Sequence, residues 1–219
     1  TAEVFDSIDE VSSATGRRFI DIYATNSGVP ALLILPDGSW VFSMYASVDT
    51  VDGVHTLEMV VQKRSTSNLF TYNASTISFH HDQPGLFRDS IEDSANGFLT
   101  AGFEESQQIT VVGSTSNDGT YVIWSVTAGK IILRHVTNLT EEIAGDSVTI
   151  TSKEKKLFTA TSDAITSTVA ELYHIFAVAP SFVVDITDRI IVNVYAASTS
   201  ATSRTIGIYH NGTEHYSHI

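Results

Sequence analysis

Ile109-Thr-Val-Val-Gly-Ser114, Ser116-Asn-Asp-Gly-Thr-Tyr121 and Val122-Ile-Trp-Ser125 carry the clearest strand-and-turn pattern of the chain. Ile109 and Val111 alternate with polar or turn-facing positions, and Tyr121 and Ile123 take up the same period of two. Two such runs around Asn117-Asp118-Gly119 predict a β-hairpin. Asn, Asp and Gly tolerate the positive φ that a tight turn or bulge demands, so these three residues are assigned to the turn. Just upstream lie Gly97-Phe-Leu-Thr-Ala-Gly-Phe103 and the polar Glu104-Glu-Ser-Gln-Gln108, which complete a small β unit.

Strand patterns continue in both directions. Phe19-Ile-Asp-Ile-Tyr23 alternates, Leu32-Leu-Ile-Leu35 is a short apolar run, and Pro36-Asp-Gly38 punctuates before Trp40-Val-Phe-Ser-Met-Tyr45. Leu57 to Gln62 follows, then a polar segment from Lys63 to Asn68. Beyond residue 152 the strand reading resumes at Lys156–Ser162, Ile165–Val169, Ile175–Val178, Arg189–Tyr195 and Arg204–Tyr209. A helix competes only over Ser167–Ala179, where β-branched and aromatic residues and the terminal Pro180 favour strand. Ser and Thr total 52 of 219 residues, and β-branched types dominate between Gly, Asn and Asp turns, so the chain reads as all-β.

Composition narrows the functional classes. The net charge of −13 opposes a nucleic-acid surface, and the one basic cluster, Lys153, Lys155 and Lys156, reads as a solvated turn. There are no cysteines, hence no disulfides, and no run of 18 apolar residues, hence no expected membrane insertion. Neither a G-x-S-x-G nucleophile motif nor a Gly-rich phosphate loop occurs, and no pair of the 25 acids is singled out for hydrolysis. The expectation is a protein that is not an enzyme.

His80-His81-Asp82 groups metal-ligand types, but neighbouring strand residues point to opposite faces, and a solvated loop or domain boundary is the favoured reading. Near the C-terminus, His210, His215 and His218 could bring copies of one imidazole together on a trimer axis. An ordinary exposed or packed His is favoured there too, and no metal or cofactor is assigned. Asp185 and Asp188 flank a turn. Trp40 and Trp124 lie in strand patterns and read as core. Aromatics that stack on sugar rings offer the other role, and the candidates for it are Trp124, Tyr209 and Tyr216, with Asn211 beside the terminal turn.

Together, G-F-x-x-A-G-F (97–103), a Gln at 107 or 108, I-T-V-x-G-S (109–114) and S-N-D-G-T-Y (116–121) resemble a β module of tailed-bacteriophage structural proteins, over roughly residues 85–152. Glu104–Gln108 departs from that pattern, because a Gly often supports the turn there. The outer segments carry a second resemblance. Pro36–Phe42 with Ser47, Leu157–Ser162, Thr187–Ala196, Ser203–Ile206 and Tyr216–Ile219 are similar to the jelly-roll β sandwich found at phage fibre tips. In such sandwiches the strand ending near Lys63 or Arg64 leads directly into the one that begins here near Lys156.

The resemblances therefore imply a jelly-roll β sandwich built from residues 1–68 plus 154–219, with a small β domain, 69–153, inserted in one loop. Charge divides unevenly along the same lines: residues 70–152 carry ten acids and three bases, while residues 153–219 carry six and five. The implied function is that of a virion surface protein, a fibre or tail-tip component that binds the host. Its expected partners are two further copies in a homotrimer, other virion proteins and a host surface glycan. A capsid decoration protein that clamps shell subunits is the alternative.

Overall fold

A computed structural model describes residues 4–12, 16–26, 29, 31–81, 88–134 and 139–210. These residues form strands, turns and loops; among them no helix is long and apolar enough to cross a membrane. The chain divides into two compact units, one made of residues 1–62 and 157–219 and the other of 63–156. These boundaries lie six residues before and three after those expected for the inner domain.

The first unit contains β1 (Val4–Val11), β2 (Arg18–Ala24), β4 (Gly38–Val48) and β5 (His55–Arg64) from the N-terminal part. From the C-terminal part come β13 (Glu154–Thr161), β14 (Glu171–Ala179), β16 (Arg189–Ser198) and β17 (Arg204–His210). They form two four-stranded sheets, ordered β1-β17-β4-β14 and β13-β5-β16-β2. Counted along the chain, these eight strands lie in the orders 1-8-3-6 and 5-4-7-2, the arrangement of a jelly-roll sandwich. A short ribbon pairs β3 (Ile34–Leu35) with β15 (Phe182–Val183).

Alternation accounts for the packing. On β4, Phe42, Met44, Ala46 and Val48 face inward, and they meet Leu57, Met59 and Val61 of β5 and Val192 and Val194 of β16 in one core. On β14 the inward set is Ile175, Ala177 and Ala179, which leaves Phe176 and Val178 outside at 64% and 85% exposure. Strand β16 is buried on both faces: Asn193 donates from Nδ2 to Gln62 Oε1 at 2.9 Å on the side away from that core.

Three strand expectations need correction. Of Leu32–Leu35 only Ile34 and Leu35 pair, because the run belongs to the short ribbon and not to either main sheet. Ile165–Val169 is not a strand. It lies in the connection from β13 in one sheet to β14 in the other and makes isolated bonds in place of a ladder: Ile165 N donates to His55 O at 2.7 Å and Ser167 O accepts from Val48 N at 3.0 Å, while Ser167 Oγ donates to Val169 O at 2.8 Å and accepts from Val169 N at 3.2 Å. Lys155 and Lys156 lie on β13, not in a turn.

The second unit lies within the connection between β5 and β13, which are neighbours in their sheet. Ser65 N donates to Lys153 O and Leu69 N to Ser152 O, both at 2.8 Å, so the two ends of this unit run side by side. Its strands are β6 (Phe70–Ala74), β7 (Ile77–His80), β8 (Ser90–Asp93), β9 (Gln108–Val112), β10 (Gly119–Val126), β11 (Lys130–Leu133) and β12 (Val148–Ser152). They form a seven-stranded sheet in the order β6-β12-β9-β10-β11-β8-β7. The long β10 is shared: Gly119–Val122 pairs with β9 and Ile123–Val126 with β11, with an irregularity between Ile123 and Ser125.

The hairpin β9–β10 has the expected period-two register, with Ile109 opposite Tyr121 and Val111 opposite Gly119. Its connection is longer than a tight turn, running from residue 113 to 118, and its left-handed residue is Gly113 (φ 93°), not Asn117, Asp118 or Gly119. The longer loop needs internal fasteners. Asp118 Oδ1 accepts from Ser114 N and Oγ at 2.8 and 2.9 Å. Asn117, 2% exposed, exchanges hydrogen bonds with Thr140, accepting at 2.8 Å and donating at 3.0 Å, and also donates to Glu142 Oε2. Tyr121 Oη donates to Asn117 O at 2.8 Å.

The Gly97–Phe103 segment is a compact turn whose two phenylalanines, Phe98 and Phe103, are fully buried among Ile77, Phe79, Ile109 and Ile150. The glycines make room for them. A Cβ on Gly97 would lie 2.3 Å from the Tyr72 ring, and one on Gly102 (φ 90°) would lie 2.6 Å from the Phe70 ring. Gln107 is the buried Gln of the pair; its Oε1 accepts from Glu104 N at 3.1 Å and its Nε2 donates to Gly102 O at 3.4 Å.

Candidate functional site

The residues expected to bind a ligand fall into separate units. Trp124 lies on β10 of the second unit, and Tyr209 on β17 of the first. Asn211 and Tyr216 lie outside the described residues, as do His215 and His218. Trp124 is not part of the core: it is half-buried, and the Arg88 guanidinium sits 4.2 Å from its ring centroid. Tyr209 is half-buried with Oη 3.1 Å from Ser47 Oγ, opposite Tyr45 in the β17–β4 register. Trp40 packs at the margin of the sandwich core against Phe158. It also lines a cavity of about 340 Å³ with Tyr23, Thr25, Leu35, Ile190 and Val192.

His80 ends β7, well inside the second unit, so the boundary reading of that histidine pair is corrected. Its Nδ1 lies 3.2 Å from Glu141 and its Nε2 3.0 Å from Ser78 Oγ, whereas His81 Nδ1 lies 2.8 Å from buried Asp89. The two rings thus address different carboxylates. A cavity beside His80 is lined by Glu92 and Asp93. Asp93 itself is a structural hub that accepts from Thr76, Ala95, Tyr72 and Gly97. Burial opposes its ionisation, but those hydrogen bonds prevail and hold its carboxyl below the usual range.

Among the described residues, the densest set of potential ligand groups joins His210 to two acids that the sequence pattern did not indicate. Asp6 on β1, Asp21 on β2 and His210 on β17 place one donor atom each within 4.8 Å of one another. Strand register explains the meeting. His210 stands opposite Val4, so Asp6, two residues on, is a diagonal neighbour on the same face. Asp21 and Tyr23 stand opposite Val194 and Val192, which face the core, and the pairing shifts between Val194 and Tyr195, leaving Ile20 as the extra residue. The bulge therefore turns an acid and a phenol from the edge strand β2 toward β1 and β17.

His210 Nε2 lies 2.5 Å from Asp6 Oδ2 and 3.9 Å from Asp21 Oδ2. The imidazole is 10% exposed and the two carboxylates 40% and 26%, so the cluster is reachable from one side. The Tyr23 ring meets His210 edge-on at 5.9 Å, and its hydroxyl hydrogen-bonds the Asp21 carboxylate. Burial, with the nearby Asp21 and Asp6 carboxylates, pushes the Tyr23 pKa up, so the phenol stays protonated. In the sequence the traces of this site are His210, grouped there with His215 and His218, and the Asp21 and Tyr23 alternation in β2.

No family model matches the chain. No curated protein matches it either. Among solved structures, one neighbour is described as the structure of infectious bursal disease virus Gx strain. It aligns at a TM-score of 0.13 with 10% identity, over 94% of this chain and 39% of that one.

Proposed function

We propose that the chain is a non-enzymatic surface component of a tailed-phage virion that assembles as a homotrimer and takes part in host attachment, with the second unit as its phage β module. The observation that carries the reading is the apolar outer surface along β4 and β14. Leu172, Phe176 and Val178 project from β14, and Val41, opposite Phe176, extends the patch onto β4. Contiguous apolar surface of this kind marks a contact with other protein, and covering it gains about 25 cal/mol per Å². The motif residues that support the phage resemblance serve structure: Gly97, Gly102, Asn117 and Asp118 shape and fasten turns. Attachment would then fall to surface groups such as Trp124 with Arg88, an aromatic face beside a guanidinium, which suits a sugar ring bearing an acidic group.

Immunogold labelling of parent virions with antibody against the purified chain tests the assignment, with gold expected at the tail tip or fibres. Gold spread over the head would transfer the role to shell decoration, and unlabelled virions would reject both. Sedimentation of the purified chain should give three times the 23.8 kDa chain mass. Phe176→Ser with Val178→Ser should shift it toward monomer, and an unchanged trimer would remove this surface from the interface.

A further inference from the structure

We propose that Asp6, Asp21 and His210 bind one divalent transition-metal ion, zinc in the first instance, which pins the β1–β17 side of one sheet to β2 of the other. This inference is independent of the attachment reading. One imidazole and two carboxylates are a donor set for zinc, and they come from three strands whose pairing holds them in place. Zinc bonds of about 2.0–2.2 Å require neighbouring donor atoms about 3.3 Å apart in a tetrahedron. The 2.5 and 3.9 Å separations around His210 Nε2 bracket that value, so side-chain adjustment alone brings the donors into place.

A fourth polar group stands at the same cluster. The Tyr23 hydroxyl hydrogen-bonds the Asp21 carboxylate, and its ring meets His210 edge-on at 5.9 Å, so it orients one donor and packs against another. An ion at the cluster carries a water in its fourth position, on the side where Asp6 is open to solvent. Tyr23 is positioned to donate to a bound carboxylate oxygen or to accept from that water. The proton balance is explicit. Zinc takes the Nε2 lone pair, and a proton held there leaves to solvent as the ion binds.

The test uses the full chain stripped by chelator and titrated with Zn²⁺ in a calorimeter. Expected are one equivalent per chain, weaker binding at lower pH, and a Tm increase of about 5–10 °C at a hundredfold excess over Kd. Asp21→Asn and His210→Gln should each weaken binding at least tenfold. His215→Ala with His218→Ala, and His80→Ala with His81→Ala, should leave it unchanged. Co²⁺ in place of zinc should give visible absorption that is lost in Asp21→Asn, a partly exposed position where the substitution leaves the core intact. Absence of saturable binding, or binding that survives in Asp21→Asn or disappears with the other histidines, would overturn the proposal.

Discussion

At the scale of single residues, the protein holds polar groups inside under two different regimes. Asp93 is buried and fully served by four donors, whereas His55 is fully buried with neither ring nitrogen bonded. A carboxyl whose folded pKa lies below its unfolded value of about 4 adds stability that is complete above that value and lost as pH falls through the folded one. Asp93 belongs to this class, as does Asp52, which the Arg204 ion pair holds at about 2. Wild-type Tm should therefore drop steeply between about pH 4 and pH 2. Asp93→Asn should flatten that drop in a Tm-against-pH series, and an unchanged slope would show that Asp93 does not report on acid unfolding. His55 presents the opposite case: a polar ring whose desolvation is uncompensated. His55→Leu should be neutral or stabilising by about 1 kcal/mol in urea unfolding, and a loss of that size or more would mean that the ring nitrogens are bonded after all.

At the scale of elements, glycine and carboxylate placement decides how the turns of the second unit close. Gly97→Ala forces a methyl into the Tyr72 ring, which itself is tied to Asp93, so the clash has no easy exit. A loss of about 1–3 kcal/mol is expected by chemical denaturation, and a neutral result would mean that the turn can move away from β6. Glu154, 2% exposed at the start of β13, accepts from Arg64 Nε at 2.7 Å and from the Gln108 backbone. Glu154→Ala should cost about 2 kcal/mol or more, because it leaves a backbone donor and a guanidinium without their partner. Period-two alternation made most strands readable before any coordinates, β4, β9, β10 and β16 among them. It misread Ile165–Val169, since alternation cannot tell a strand from a crossover that bonds once to each sheet. It also credited Asn117 with turn geometry when its side chain works as a tether to Thr140, a partner 23 residues away. The Asp6–His210 contact was illegible for a related reason. It links positions 204 residues apart through the register of three strands, and one bulge in β2 decides where Asp21 points.

At the scale of the whole molecule, two compact units share one chain, and the outer one is assembled from both ends. The ends of the inner unit run side by side at Ser65 and Lys153, so removing it leaves a gap that a short turn can span. A chain lacking residues 66–152, with a two-residue Gly-containing turn in their place, should fold to a β protein with dispersed amide resonances. A molten or insoluble product would show that the sandwich depends on the inner unit.

The order of the strands also sets a timetable for synthesis. Among the described residues β1 pairs with β17 alone, about 200 residues further along, so β1 must wait for β17 to be made. At translation rates of about 5–20 residues per second, that wait is about 10–40 s. The inner unit, contiguous over 63–156, can form meanwhile, while the N-terminal strands remain open to pairing with a neighbouring nascent chain.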